Sequence, residues 1–396
     1  MISPTPIRGP VSPLRMRRPE ASPHNAMRTS SPARLGRELC RLVSLGALAA
    51  LLLPLPALAD PRLVVIDQDA SGPATSDLQS ILMLIQSPGV QVLGITVLSG
   101  DAWRDEEVAH TLRLLEIIGR TDIPVVPGAV YPLINSQEAT KRWEALYGKL
   151  VYKGAWNEPS HAPDFIPPLP EGSPTTKPLA EDAAHFLIRQ VHRYPGEVSI
   201  IAAGPMTDIA LAAKLDDKFA SLAKELVIMG GSLEPQDNGT SFAQEYIYTP
   251  RLEFNFRWDP EAAHIVFHQP WKKLVQVPVD PTTKAYFSED LKKQIGQSST
   301  PVAKYVFKYC QIFPMWDELA SAVWLDPSII TKGETMLIDV DTSFTAGYGD
   351  TLSWHPGRGP GLGEQPTQEV REIDVPKFDA LFVRLMQAPT PKPSAP

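Results

Sequence analysis

Cysteine is nearly absent. Only Cys40 and Cys310 occur in 396 residues, which excludes a disulfide framework and a cysteine-built zinc knuckle. The sequence has no collagen period, no heptad run and no internal repeat, so fibrous and solenoid architectures are excluded. It lacks the spacing of a phosphate-binding glycine loop: Gly204-Pro205-Met206-Thr207-Asp208 reads instead as a tight turn between a strand and a helix, freeing the backbone carbonyl of Ala203. No His/Cys set at zinc spacing is recognised, and six of the eight histidines (His110, His161, His185, His192, His264, His268) are assigned mostly to helices and loops rather than to chemistry.

Basic charge is scarce outside the first 59 residues. That segment holds eight arginines against Glu20 and Glu38, then the uncharged stretch LVSLGALAALLLPLPALA ending in Ala57-Leu58-Ala59. A basic lead, an apolar core and a small-x-small end make a secretory signal pattern, with Met27 as an alternative start. Cleavage after Ala59 is the expectation; an uncleaved anchor or a flexible arm stays open, although Pro54 and Pro56 sit in a stretch at the short edge of a membrane span. An exported body, periplasmic or secreted, then carries 29 basic against 43 acidic residues, a net charge of −14. Such a body is a poor binder of phosphate backbones and suits a small ligand or a cation. Residues 60–390 are read as one domain and 391–396 as a proline-rich tail.

The body alternates strand and helix. RLVVID, VQVLGITVLSG and DIPVVPGA read as strands separated by DLQSILMLIQS and DEEVAHTLRLLEIIG. VSIIAAG, ELVIMGGS and LVQVPVD continue the series, TMLIDVDTSF suggests a late hairpin or edge strand, and DVPKFDALFVRLMQ a closing helix. This is an α/β fold with an open, mostly parallel central sheet flanked by helices, and ligands in such sheets sit outside the strand carboxyl ends. Residues 130–178 read as an excursion over one face, covering part of a site or serving as surface loop. Cys310, read in a helix among Tyr and Phe, is expected to be a packed thiol.

The acids fall where that fold puts ligands. Asp67 and Asp69, two apart at a strand end, share a face in extended geometry; Asp77 opens the next helix, and Asp317 lies far along the chain. Carboxylates converging on one cleft need a cation, and oxygen-only donors imply a hard ion; ordinary capping is the alternative. Glu253 and Asn255, again two apart, suit a hydroxyl-rich ligand such as a sugar.

VVIDQD with Asp77, LGITVLSGD, IIAAGPMTDIALA, ELVIMGGS and LEFNFRWDPEAAHIVF together closely resemble the inosine–uridine-preferring nucleoside hydrolase family, from about residue 62 to 326. The resemblance implies Ca2+-dependent cleavage of the N-glycosidic bond of ribonucleosides, a small-molecule substrate rather than a nucleic acid, and leaves a homo-oligomer open. It implies Asp69 as metal ligand and general base, Asp77 as bidentate ligand, Ala203 as a main-chain ligand and Asp317 as the distal ligand. Glu253 and Asn255 would contact ribose, and Met229 would line the pocket. The chain departs from the family pattern in its longer opening motif, in Ser76 for an acid, in Asp101 for an asparagine, and in Trp316-Asp317 for His-Asp, where tryptophan can stack on a base but cannot protonate it. These departures leave open a weak or inactive riboside-binding relative acting as an exported effector or sensor. Asn238 is the weak candidate for a further sugar contact, and Trp103 is either pocket wall or core.

Overall fold

The computed structural model describes residues 60–234 and 252–392; the leader, the end of the tail and Asn238 lie outside the described residues. Nine strands form one sheet in the order β3-β2-β1-β4-β5-β6-β9-β7-β8. β1 (Arg62–Gln68), β2 (Val90–Val97), β3 (Val125–Pro127), β4 (Val198–Ala202), β5 (Glu225–Met229) and β6 (Leu274–Val277) run parallel, as does β9 (Pro366–Ile373). β7 (Ile330–Val340) is antiparallel to β9 and forms the hairpin with β8 (Thr351–Trp354). The sheet is therefore mostly parallel, as the alternation of elements implies.

The strands are continuous apolar runs because both faces are covered. Val64 and Ile66 point into one layer, Val65 into the other; Val227 and Met229 separate from Leu226 and Ile228 in the same way. Helices α1 (Ser76–Gln86) and α2 (Arg104–Ile118) cover the first face. Of the helices that follow, α3 (Gln137–Tyr147) crosses the excursion, α4 (Ala183–Arg193) and α5 (Thr207–Leu215) lie on the second face, and α6 (Phe254–Trp258) leads into α7 (Pro260–Phe267), also on the second. α8 (Glu289–Ile295), α9 (Pro301–Tyr309), α10 (Trp316–Leu325) and α11 (Val375–Gln387) complete the first. α2 stops at Gly119, whose φ of 73° is the left-handed cap that glycine adopts without strain.

The chain steps outward from β1 to β2 and β3, then returns to place β4 on the other side of β1. This is the topological switch point, where loops leaving neighbouring strands part and open a crevice. Asp69 follows β1 and Ala203 follows β4, so the two flank that crevice directly.

Two local readings change. The excursion is not all loop, since α3 occupies residues 137–147 with Ser136 as its N-cap, accepting from the Ala139 amide. Glu253 and Asn255 do not belong to one extended run: Glu253, itself extended, is the N-cap of α6, its carboxylate accepting from the amides of Asn255 and Phe256, and Asn255 lies inside the helix. Capping of the helix, rather than strand periodicity, is what places both residues.

Candidate active site

A cavity of about 470 Å3 opens at the switch point. Asp69, Ser76, Asp77, Asp101, Ala203, Met229, Glu253, Asn255, Trp316 and Asp317 all line it. Asp67 does not. β1 ends at Gln68, so strand alternation stops before Asp69, and the Asp67 carboxyl turns to the Thr96 hydroxyl on β2 instead.

Asp77 and Asp317 arrive by the same device. Each sits in the first turn of a helix, α1 and α10, and these two helices pack together with their positive ends toward the cleft. The long opening motif does not separate Asp69 from Asp77. The loop forms part of the cavity wall, with the Ala74 amide donating to the Tyr305 hydroxyl, while Ser71 and Thr75 hydroxyls donate to Asp77 at 2.9 and 2.8 Å. Asp69 is wedged between two glycines. A Cβ on Gly100 would stand 2.1 Å from its Oδ2, and one on Gly204 would stand 2.6 Å from its Oδ1. The Asp101 amide donates to Asp69 at 3.1 Å, and the Asp101 carboxylate faces the Tyr152 hydroxyl.

The convergence point is marked by Gln68. Its Nε2 lies 3.2 Å from Asp77 Oδ1, 3.0 Å from the Ala203 carbonyl and 2.8 Å from Asp317 Oδ2. An amide has two hydrogens and here meets three acceptors, so its demand on the three oxygens falls short of what they offer. Its own Oε1 is buried with no hydrogen-bond partner among the described residues. Burial raises Asp69 well above the usual carboxylate range, with further push from Asp101, Asp77, Glu107 and Asp317, and raises Asp317 likewise, with further push from Asp77, Glu318 and Asp101. Asp77 is raised by burial too, against the hydroxyls and amide that donate to it. Among the described residues the lining contains no Arg or His, and its one Lys, Lys308, is exposed and donates to the Tyr309 hydroxyl. Buried acids with no basic partner, plus a backbone carbonyl, are an all-oxygen donor set that fits a hard divalent cation. Gln68 must withdraw for one to enter.

Several residues that shape this site were missed from sequence. Glu318 lines the cavity beside Asp317 and accepts the Ser76 hydroxyl at 2.6 Å, so an acid stands directly against the position where the opening motif loses one. Ser76 also accepts from the Asp317 amide at 3.1 Å, which commits its hydroxyl to holding the two helices rather than leaving it free for a sugar. Tyr152, from the excursion, and Phe254 and Phe313 add aromatic walls; Phe313 meets Trp316 edge-on at 4.9 Å. Glu253 also accepts the Gly231 amide, and Asn255 donates to the Met229 carbonyl, so both side chains are braced at the rim. Trp103 is core, packed with Trp156 and Trp258, and Cys310 is buried, its thiol pushed up to about 12 by desolvation.

The description of the inosine-uridine preferring nucleoside hydrolases matches residues 64–380. The chain belongs to this family. Among nucleoside hydrolases and their relatives, a probable uridine nucleosidase 1 of Oryza sativa subsp. japonica is 29% identical over 347 residues, 82% of this chain and 97% of the relative. Uridine nucleosidase 1 of Arabidopsis thaliana is 31% identical over 261 residues, 66% and 69% of the two chains. A solved plant nucleoside hydrolase superposes with a TM-score of 0.64 at 23% identity, covering 83% of this chain and all of the other, which shows the shared fold. Membership of the family carries its general activity, hydrolysis of nucleosides.

Proposed function

We propose that the protein hydrolyses the N-glycosidic bond of ribonucleosides to ribose and free base in a Ca2+-dependent manner. The observation that carries this is the approach of Asp77, Asp317 and the Ala203 carbonyl to one point, the Gln68 amide, in a cavity that Asp69, Glu253 and Asn255 also line. Asp77, Asp317, Ala203 O and Asp69 would hold the cation. When bound, Ca2+ orients sugar hydroxyls and acidifies a water.

The protein's own residues do the rest. Asp69, pinned by Gly100 and Gly204, takes the proton of the attacking water as general base. Surrounding carboxylates stabilise the positive charge that develops on the sugar ring in an oxocarbenium-like transition state, and in a buried cleft that stabilisation is strong. Glu253 and Asn255 hold the ribose, fixing C1 relative to that water. Trp316 and Phe313 present ring surface to the base.

A second reading, a riboside-binding relative with little turnover, is favoured by two features. Tryptophan at 316 supplies no proton to the leaving base, and the Ser76 hydroxyl is engaged by Glu318. A nucleoside panel assayed for ribose release, with and without chelator, separates the two. Release that chelator abolishes supports the hydrolase; tight riboside binding without release supports the binder. We also propose export with cleavage after Ala59. Mass measurement of the mature chain tests it, and an intact 1–59 segment rules cleavage out.

A further inference from the structure

Away from the acidic cleft, α7 carries His264 in its last turn and His268 at its C-cap. Asp339 on β7 and Glu364, ahead of β9, face them, and none of the four lines the cleft. A ring nitrogen from each histidine and an Asp339 oxygen all lie within 4.8 Å of one another. His264 Nδ1 is 2.7 Å from Asp339 Oδ1, and the two imidazole centroids are 4.3 Å apart.

The decisive atom is His268 Nε2. Its Nδ1 lies 2.8 Å from the His264 carbonyl, which only accepts, so Nδ1 carries the proton. Nε2 of the neutral ring therefore presents a lone pair. That atom is buried with no hydrogen-bond partner among the described residues, and the nearest ionic groups are carboxylate oxygens of Asp339 at 3.8 Å and Glu364 at 4.0 Å. A buried lone pair aimed at two carboxylates is unfavourable unless a proton on Nε2 or a metal ion lies between them. An imidazole that donates its other N–H to a backbone carbonyl is also how metal-binding histidines are commonly oriented. The neighbours are fixed in place: Asp339 Oδ1 accepts the Val340 amide, both Glu364 oxygens accept the Leu362 amide, and the Gln365 amide binds the Phe267 carbonyl at the end of α7. The C-terminal end of α7 adds its partial negative charge.

We propose that His264, His268 and Asp339, with Glu364 behind them, form a metal site for a borderline divalent cation of the zinc type, separate from the acidic cleft. Imidazole nitrogens select such ions over Ca2+. Donor distances of about 2.0–2.2 Å require the three groups to draw together, and His264, whose side chain is 41% exposed, has room to rotate.

The test is calorimetric titration of Zn2+ into the untagged mature chain with Ca2+ in excess. The expected result is uptake of a single equivalent that is weakened at least about tenfold in both His268→Ala and His264→Ala and retained in Asp317→Asn. His264→Ala, at a half-exposed ring, carries the test if His268→Ala does not fold, and it should leave nucleoside hydrolysis unchanged. No uptake by the wild type, uptake unaffected in the histidine variants, or uptake lost only in Asp317→Asn overturns the site.

Discussion

Asp69 is the residue on which the proposed chemistry turns, and its surroundings make it testable. It is buried, it accepts the Asp101 amide, and it has no freedom between Gly100 and Gly204. Asp69→Asn keeps the shape and loses the base, so turnover should fall by roughly 10²–10⁴-fold while circular dichroism stays native. Wild-type turnover in this variant would remove Asp69 from the mechanism. Gln68 makes the opposite prediction. Its amide occupies the point where three oxygens meet, so it competes with the cation for them. Gln68→Ala should tighten Ca2+ binding by about tenfold, the equivalent of one charged hydrogen bond no longer broken. Weaker binding in that variant would instead make the Gln68 carbonyl a ligand. Trp316→Ala should lower affinity for purine ribosides by about tenfold, in line with ring stacking of roughly 1–3 kcal/mol per base; equal affinity counts against the stacking role.

The turns and caps between elements explain how much of the site was readable from sequence. Strand ends were legible because parallel strands read as apolar runs that stop abruptly: the acids Asp69 and Asp101 follow two of them, and Ala203 precedes the Gly-Pro turn after a third. Helix starts were legible as well, which placed Asp77. What was not legible depended on tertiary contact. Glu253 and Asn255 lined the cavity for a reason other than the one their spacing suggested, because a carboxylate cap outcompeted extended chain. α3, with only Thr140, Trp143 and Glu144 buried, shows too weak an apolar period to announce itself. β9 hides its strand pattern by burying Glu369. The His264–His268 pair looked like an ordinary helix face, since its third member lies 75 residues on. Turn geometry also gives a prediction. Gly204 carries no left-handed φ, so alanine is conformationally allowed there, but its Cβ would meet Asp69 at Oδ1 and the backbone nitrogen. Gly204→Ala should therefore fold and lose up to about 100-fold in kcat through misplacement of Asp69 by a fraction of an ångström. Unchanged turnover would show that Asp69 has slack the structure does not suggest.

At the scale of the whole molecule, burying so many acids beneath the sheet's open end makes stability depend on pH in an unusual direction. Asp208, at the start of α5, accepts the Ala129 amide, fits so tightly that a Cβ on Gly128 would stand 1.8 Å from its Oδ2, and lies near enough to Asp67 to raise that carboxyl too. Desolvation pushes Asp208 up from 3.8 to about 7. The sign follows from which state holds the proton. Below about pH 4 folded and unfolded chains are both protonated there, and burial carries no penalty. Between pH 4 and 7 only the unfolded chain ionises, so each step up in pH favours unfolding; above pH 7 both are ionised and the loss is complete. Most globular proteins lose stability on acidification through paired carboxylates, whereas this contribution is lost on the way to neutrality. Asp208→Asn keeps an oxygen for the Ala129 amide and removes the charge. Its Tm should match wild type near pH 4.5 and exceed it at pH 8 by an amount corresponding to roughly 1–4 kcal/mol, measured in chelator so that cation binding does not contribute. A gain that is the same at both pH values would mean the carboxyl titrates alike in the folded and unfolded chains, so that burial does not raise it, and a loss at pH 8 would mean its charge is compensated by Arg104, the cation that opposes its upward shift.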